Sequence, residues 1–243
     1  MIAIIDYGIG GLGLYKLIRG EFPNLPLIYF SDSGEVPYGK LSKKVLRRRL
    51  ENVFRFLKKR GASHIIVACH SASSVLLPTD QGVTGIRTQT VKAVRRCGPG
   101  SVGIIGGGRT IRSGYYRREL NKAGIETRQR IAQPLSILVE RGEVKGASVD
   151  EAVSKIIRPL KGVDAILLAC THYPVLSDVI SKYAGPVRMI DPVKELYNSV
   201  RHYFNASDKG RSEFLTTGNT RLMIDASRKA FGVRIRQANR VKV

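Results

Sequence analysis

The chain has 243 residues, 43% of them hydrophobic, and its 41 Lys and Arg residues against 19 Asp and Glu residues give a net charge of +22. This length allows one large or two small domains with a hydrophobic core. No apolar stretch is long enough to cross a bilayer, and the first residues lack the basic region of a signal peptide. Three cysteines in a chain of this length do not make a disulfide framework, and there is no Cys-x-x-Cys pair for zinc. We therefore expect a cytoplasmic protein that does not contact a membrane.

Short apolar runs alternate with amphipathic segments along the chain, which is the pattern of a parallel sheet covered by helices. Strands are predicted at residues 2–6, 27–30, 65–69, 83 onwards, 101–105, 125–128, 166–169, 187–190 and 214–217. Helices are predicted at 10–20, after Ser42 as a cap, from about 71, and at 87–96, 109–122, 135–140, 149–160, after Pro174, 193–204 and 221–230.

One arrangement of elements occurs twice. An apolar run ends in Ala-Cys at Cys69 and again at Cys170, and each run follows an earlier strand with a glycine-rich turn at nearly the same distance in sequence. A repeat of this length predicts an α/β fold of two pseudo-symmetric lobes, each a mostly parallel sheet flanked by helices, with the active site between them. Residues 1–96 form the predicted first lobe, which 205–243 are expected to complete, and 97–204 form the second.

The positive charge is densest between Lys40 and Arg60, where Glu51 is the only acid. The same segment has an apolar stripe at helical spacing, which indicates an amphipathic helix with a solvated basic face. A second interpretation is a face that contacts polyanions such as nucleic acid. Because no RNA-binding motif of interleaved aromatic residues is present, such contact would be non-specific and sensitive to salt.

The glycine-rich turns at residues 8–13 and 106–108 are not interpreted as nucleotide sites, and the chain has no P-loop Gly-Lys-Ser/Thr sequence. A tight turn between a strand and a helix presents backbone N–H groups that bind a carboxylate. These turns therefore favour a small anionic substrate.

Cys69 and Cys170 are either small buried hydrophobic residues or functional thiols. Their equivalent positions at the ends of strands, where α/β sheets bind ligands, favour function. Two thiols on opposite sides of a carbon can invert a stereocentre, because one removes a proton as thiolate while the other delivers a proton to the opposite face. A nearby cation or helix N-terminus can lower the pKa of a cysteine from its usual value of about 8.5, so either thiol can be tuned to either state.

Six motifs resemble those of the cofactor-independent glutamate racemases, in the aspartate/glutamate racemase superfamily, and the likeness runs over most of the chain. They are Val36-Pro37-Tyr38-Gly39, Val67-Ala68-Cys69, Ser113-Gly114-Tyr115, Leu138-Val139-Glu140, Cys170-Thr171-His172-Tyr173-Pro174 and Phe214-Leu215-Thr216-Thr217-Gly218. The resemblance implies a racemase that supplies D-glutamate for bacterial peptidoglycan, with an amino-acid substrate and with neither pyridoxal phosphate nor a metal. A homodimer is compatible with it.

The resemblance also implies roles for individual residues. Cys69 and Cys170 are the expected acid–base pair, Asp6 assists the first cysteine, and His172 and Glu140 assist the second. The expected substrate-binding residues are Tyr7, Pro37, Tyr38, Gly39, His70, Ser71, Thr110 and Thr171. The alternatives are structural: Asp6 caps the following turn, His172 is only a hydrogen-bonded neighbour, Glu140 is a surface acid at a helix end, and Tyr38 packs. Cys97 matches no site of the family and is expected to be structural.

Three departures from the family pattern surround the substrate. Tyr7 replaces the usual serine, His70-Ser71 replaces Asn-Thr, and the second glycine turn ends in Arg109-Thr110 instead of the usual Gly-Thr-x-x-Thr. Both cysteines of the family pattern are present, so racemisation is still expected, with glutamate or a related amino acid such as aspartate as the substrate. Two alternatives stay open: a non-racemising protein that binds an anion or polyanion, and a single-sided lyase or isomerase.

Overall fold

Two parallel sheets form the framework of the protein. The computed structural model describes residues 1–243. Its strands are β1 (Ile2–Asp6), β2 (Leu27–Ser31), β3 (His64–Val67), β4 (Val83–Gly85), β5 (Ser101–Gly106), β6 (Glu126–Ile131), β7 (Ala165–Ala169), β8 (Arg188–Ile190), β9 (Glu213–Thr216) and β10 (Asn239–Arg240). Its helices are α1 (Leu12–Glu21), α2 (Lys43–Lys59), α3 (His70–Ser73), α4 (Ile86–Cys97), α5 (Gly108–Arg112), α6 (Tyr115–Asn121), α7 (Gln133–Glu140), α8 (Ala147–Ile157), α9 (Ser177–Ala184), α10 (Val193–Val200) and α11 (Thr220–Phe231).

The two sheets repeat one topology. The first has the strand order β10-β9-β2-β1-β3-β4 and the second has the order β6-β5-β7-β8. Every strand pair in both sheets is parallel. The segment β2-β1-β3-β4 therefore corresponds to β6-β5-β7-β8, and β3 and β7, which precede the two cysteines, occupy equivalent places. The predicted fold class of two related α/β lobes is confirmed.

The end of the chain extends the first sheet. β9 pairs with β2, and β10 pairs with β9 at the sheet edge. The strand β10 was not predicted, because two polar residues carry no apolar pattern. It brings Arg240 to the same end of the sheet as Thr216, its partner in the register.

Helices cover both faces at the centre of each sheet, whereas the edge strand β6 is largely exposed. All residues of β1, β2 and β7 are buried, as expected for parallel strands between two helical layers. Helix α2 covers one face of the first sheet with the predicted apolar stripe, which is formed by Leu46, Leu50, Val53, Phe54 and Leu57. The largest apolar cluster includes residues from β1, β5 and β7, so the two lobes share a hydrophobic core.

Helix boundaries differ from the prediction at two glycine and proline positions. The single helix predicted at 109–122 is two helices, α5 and α6, because Gly114 between them has φ +63° in the left-handed region. The helix predicted to reach residue 160 ends at Ile157, and the segment that contains Pro159 continues as a 3-10 turn. No helix has the combination of length and apolar character that a bilayer span requires.

Candidate active site

A cavity of about 950 Å³ opens between the lobes at the carboxyl ends of their strands. This is the edge at which open α/β sheets bind ligands. Every site residue predicted from the sequence lines the cavity: Asp6, Tyr7, Pro37, Tyr38, Gly39, Cys69, His70, Ser71, Thr110, Glu140, Cys170, Thr171 and His172.

The two cysteines reach the cavity from equivalent positions. Cys69 follows β3 by two residues and is the N-cap of α3, and Cys170 directly follows β7. Both are free thiols, with Cys69 buried and Cys170 partly exposed. The third cysteine, Cys97, ends α4 and does not line the cavity. The fold therefore presents one thiol from each lobe to a shared space.

Cys69 has a buried carboxyl group as its neighbour. Asp6 ends β1, the strand beside β3, and is 0% exposed. One of its oxygens accepts a hydrogen bond from the Gly8 N–H at 3.4 Å, and the other, Oδ2, has no protein partner. Burial raises the pKa of Asp6. Burial, followed by the charge of Asp6, raises the pKa of Cys69 well above its usual value, so Cys69 is held as a neutral thiol.

Cys170 has a different set of neighbours. Its sulfur lies 3.5 Å from Nδ1 of His172, and Nε2 of the same ring is hydrogen-bonded to Glu140. Burial disfavours the imidazolium, but the hydrogen bonds and charges of Cys170 and Glu140 outweigh it and raise the pKa of His172 well above its usual value. A charged imidazolium beside Cys170 stabilises the thiolate. Glu140 is thus a partner of His172 rather than the solvated surface acid of the structural alternative.

The first glycine turn binds a carboxylate, but that carboxylate belongs to the protein. The Ile9 N–H donates to Oε1 of Glu140 at 2.7 Å. A Cβ atom on Gly8 would lie 1.8 Å from the same oxygen, and one on Gly10 would lie 2.2 Å from Oγ1 of Thr171. The side chains of Glu140 and Thr171, from the second lobe, therefore pack against this turn. The spacing of Gly8, Gly10 and Gly13 matches Gly-x-Gly-x-x-Gly, but an N–H group of this turn is bonded to Glu140.

Tyr7 and Tyr38 form one wall of the cavity. Their ring centroids are 5.3 Å apart, and the Tyr7 hydroxyl donates to the carbonyl of Glu35 at 3.1 Å. Tyr38 is 1% exposed, and its hydroxyl donates to Oδ2 of Asp32 at 2.6 Å. The phenolic proton of Tyr38 is therefore committed to Asp32 and does not donate to a substrate.

Asp32 is the centre of a buried polar network that the sequence did not reveal. Its two oxygens accept hydrogen bonds from Arg49 at 2.9 and 2.6 Å, in addition to the bond from Tyr38. Thr217 donates to Asp32 at 2.9 Å and accepts from the N–H of Gly34 at 3.0 Å. The network joins α2, the loop of Tyr38 and the segment after β9, so it fixes one side of the cavity.

His70 and Ser71 make contacts across the lobes. Nδ1 of His70 lies 2.7 Å from the hydroxyl of Tyr116, and the hydroxyls of Ser71 and Thr110 are 3.4 Å apart. His70 is buried, and burial lowers its pKa to about 3. The residue is therefore neutral at physiological pH, whereas the sequence left its charge open.

The neutral state of His70 predicts a pH dependence of folding stability. An unfolded histidine has a pKa of about 6.5, so below that pH the unfolded chain binds a proton that the native chain excludes down to about pH 3. Stability is fully present above pH 6.5 and is lost as the pH falls toward 3. Relative to His70→Asn, which does not titrate, wild type should lose on the order of 2 kcal/mol between pH 7.5 and pH 5 in urea unfolding. Parallel pH profiles of the two proteins would contradict this.

Four cations surround the mouth of the cavity. Lys40, Arg141, Arg221 and Arg240 are exposed, line the cavity, and form no salt bridge with any acid of the chain. Their sequence positions are scattered, and Arg221 and Arg240 come from the tail of the chain. A periodicity argument could not have found them, because only the fold brings them together.

The chain is similar to known racemases in sequence and in fold. It is 33% identical over 223 residues to the glutamate racemase of Aquifex aeolicus, a match that covers 89% of this chain and 88% of that protein. Glutamate racemase from Thermus thermophilus in complex with beta-chloro-D-alanine has a TM-score of 0.87 at 28% identity, with coverage of 100% and 96%. Glutamate racemase from Francisella tularensis in complex with D-glutamate has a TM-score of 0.88 at 24% identity, with coverage of 99% and 97%, which is a likeness of fold.

Two lobes of one topology, each with a thiol at the shared cavity, define together with these relatives an amino-acid racemase, which is an isomerase. A family profile described as Asp/Glu/Hydantoin racemase matches residues 15–200. The chain belongs to this family, and the resemblance inferred from its motifs is confirmed.

Proposed function

We propose that this protein interconverts L- and D-glutamate without a cofactor, with Cys69 and Cys170 as its two acid–base groups. One observation carries the proposal: both thiols line one cavity from equivalent strand ends, and each has its own charged or acidic neighbour. The relatives with more than 25% identity support glutamate as the substrate.

The neighbours of the two thiols give each a starting role. Cys170, whose sulfur lies beside the imidazole of His172, acts as the base and removes the α-proton of one enantiomer. The electron pair of the broken C–H bond remains on Cα and is delocalised into the α-carboxylate. Cys69, held as a thiol, delivers its proton to the opposite face and becomes the thiolate, next to Asp6. The reverse reaction uses the same two groups with exchanged roles.

The walls of the cavity support an acidic substrate. The cations at the mouth attract a second carboxylate that a neutral amino acid lacks. Hydroxyls of Ser71, Thr110 and Thr171 are available to bind carboxylate oxygens inside. Aspartate differs by one methylene, which is worth only about 1–3 kcal/mol of discrimination, so slower aspartate turnover fits the same site.

The test is a chiral assay of the purified protein with glutamate, aspartate, alanine and other amino acids as separate substrates. We expect the highest kcat/KM for glutamate and equal amounts of the two enantiomers at equilibrium. Absence of turnover with every amino acid would overturn the proposal.

The cationic mouth predicts a salt dependence of catalysis. Changing Arg141, Arg221 and Arg240 together to Gln should lower kcat/KM for glutamate by about tenfold at low ionic strength and leave kcat unchanged, because the attraction acts before the substrate is bound. The difference should vanish near 0.5 M salt, where charges are screened within about 4 Å.

The matched control changes three exposed cations that do not line the cavity, Arg117, Lys155 and Lys161, to Gln. Its kcat/KM should stay at the wild-type value at every salt concentration. Equal losses in the two triple variants would mean that net charge, and not the mouth of the cavity, attracts the substrate.

A second candidate function is weak contact with polyanions through α2. The observation that favours it is a set of exposed cations on this helix without acidic partners: Lys43, Lys44, Arg48, Arg55 and Lys59. Salt-sensitive binding of duplex DNA that is lost when these residues are changed to Gln would support it. This contact and a homodimer stay predictions.

A further inference from the structure

His70 and Tyr116 connect the two lobes beside the cavity. His70 opens α3 in the first lobe, and Tyr116 lies in α6 of the second, with 2.7 Å between Nδ1 of the imidazole and the phenolic oxygen. Both side chains are buried, His70 at 3% exposure and Tyr116 at 2%. Tyr116 belongs to no sequence motif that links it to the substrate.

The hydrogen atoms of this contact can be assigned by counting donors and acceptors. Thr90 donates its hydroxyl to the carbonyl of Ile86 at 2.9 Å, so it can only accept from Tyr116. The Tyr116 oxygen lies 3.4 Å from the Thr90 hydroxyl oxygen but 2.7 Å from Nδ1 of His70. A separation of 2.7 Å is typical of an O–H donor, and 3.4 Å is long for one. The phenol therefore donates to Nδ1.

The second ring nitrogen then carries the only N–H of the neutral imidazole. Nε2 is buried and has no hydrogen-bond partner in the protein. A buried N–H without an acceptor destabilises a folded protein, so such a group is expected to meet a partner supplied from elsewhere. His70 lines the cavity and also a second one of about 300 Å³ beside it, so a ligand bound in the first cavity is one partner that Nε2 can meet.

We propose that Tyr116 sets the tautomer of His70, so that Nε2–H donates to a carboxylate oxygen of the bound amino acid. The identity of this ligand rests on the proposed function. In this arrangement His70 is a specificity-determining residue and Tyr116 is a positioning residue that acts through it. An ammonium group finds no acceptor at Nε2, so the pair also selects the orientation in which the amino acid enters.

The charge state of the ring agrees with this role. Burial lowers the pKa of His70 to about 3 and keeps the imidazole neutral. The same burial raises the pKa of Tyr116 and keeps its phenolic proton in place. The pair therefore offers a neutral donor of fixed direction over the whole pH range in which glutamate has two ionised carboxylates.

The experiment is ¹⁵N NMR of the full-length protein labelled at histidine. The chain has four histidines, and the His70→Asn variant identifies the signals of His70. In wild type we expect the Nε2–H tautomer near neutral pH and a shift of the Nε2 signal when D-glutamate is added. In Tyr116→Phe we expect a mixture of the two tautomers in the free protein.

Steady-state kinetics provide a second test of the proposal. Loss of one hydrogen bond to a charged group corresponds to about a 10- to 100-fold change in affinity, so His70→Leu should raise KM by about tenfold or more while changing kcat much less. Tyr116→Phe leaves part of the protein in the Nε2–H tautomer, so it should raise KM by only about two- to threefold. His70→Asn keeps an amide donor and should recover most of the loss seen in His70→Leu. A structural role alone would not predict this recovery.

An Nδ1–H tautomer in both free and ligand-bound wild type would overturn the proposal, as would a wild-type KM in His70→Leu. The tautomer of His70 in the free protein is measured without substrate, so this result does not depend on racemase activity. If the protein racemises no amino acid, the proposed function fails, and the spectrum of the free protein still decides whether Tyr116 controls His70.

Discussion

Cys69→Ala and Cys170→Ala are each expected to lower kcat for glutamate racemisation by about 10³-fold, because each removes a group that must transfer a proton on one face of Cα. The remaining thiol can still remove and return a proton on its own face. Each variant is therefore expected to exchange the α-proton of one enantiomer with solvent without inverting it. Racemisation is measured by circular dichroism and exchange by proton NMR.

Cys97→Ala is the matched control, because Cys97 is also a free thiol but lies at the end of α4 and does not line the cavity. Its kcat and KM should equal those of wild type. Substantial racemisation by either active-site variant would mean that the reaction does not need two thiols.

Asp32→Ala is expected to lower the free energy of unfolding by about 3–5 kcal/mol, because it leaves the guanidinium of Arg49 beside an empty buried site. The side chain of Asp32 is 0% exposed and that of Arg49 only 11%, so solvent replaces the lost partner poorly, and Arg49 keeps only the more distant carboxylate of Glu35 at 3.4 Å and the carbonyl of Val243. Loss of the bond to Tyr38 should also loosen the substrate loop and raise KM. Urea unfolding at neutral pH measures the first effect and steady-state kinetics the second.

Glu213→Ala provides the comparison, because Glu213 also pairs with an arginine of the first lobe, Arg60, but with both side chains more than a third exposed. An exposed pair contributes about 0–1 kcal/mol, so this variant should unfold almost as wild type does. Equal losses of stability in the two variants would mean that the buried network around Asp32 stabilises the fold no more than an exposed ion pair does.

The central strands β1, β2, β3, β5 and β7 could be predicted because each is a short, mostly apolar run that is buried. The duplicated Ala-Cys ending showed that the lobes are related. The failures have local physical causes. β10 has no apolar residue in its two positions, and the helix predicted at 109–122 breaks where Gly114 adopts a left-handed conformation. Neither event leaves a periodic signal, since both are set by contacts with the rest of the fold.

The candidate site was predictable wherever its residues follow a strand or belong to a motif, as Cys69 and Cys170 do. Asp32, Tyr116 and Arg240 were missed because their partners are distant in sequence: Arg49 for Asp32, His70 for Tyr116 and the cavity mouth for Arg240. Charge alone did not distinguish Arg49, which is buried against Asp32, from the exposed Arg48 beside it.

The first glycine turn was expected to bind a carboxylate of the substrate. Its backbone does bind a carboxylate, but the carboxylate is that of Glu140 from α7. Since Glu140 also bonds to His172, the turn of the first lobe reaches the neighbours of Cys170 in the second. A Gly8→Ala substitution would collide with Glu140, so the small size of this residue follows from its place between the lobes.

The most direct measurement is the isotope content of both enantiomers when L-glutamate is converted by the wild-type protein in heavy water. Two thiols on opposite faces predict that the first D-glutamate formed carries deuterium at Cα, while the unconverted L-glutamate keeps its proton, because the thiol that delivers the new hydrogen exchanges with solvent before it reacts. D-glutamate that retained the original proton would mean that a single group moves it from face to face and would contradict the account.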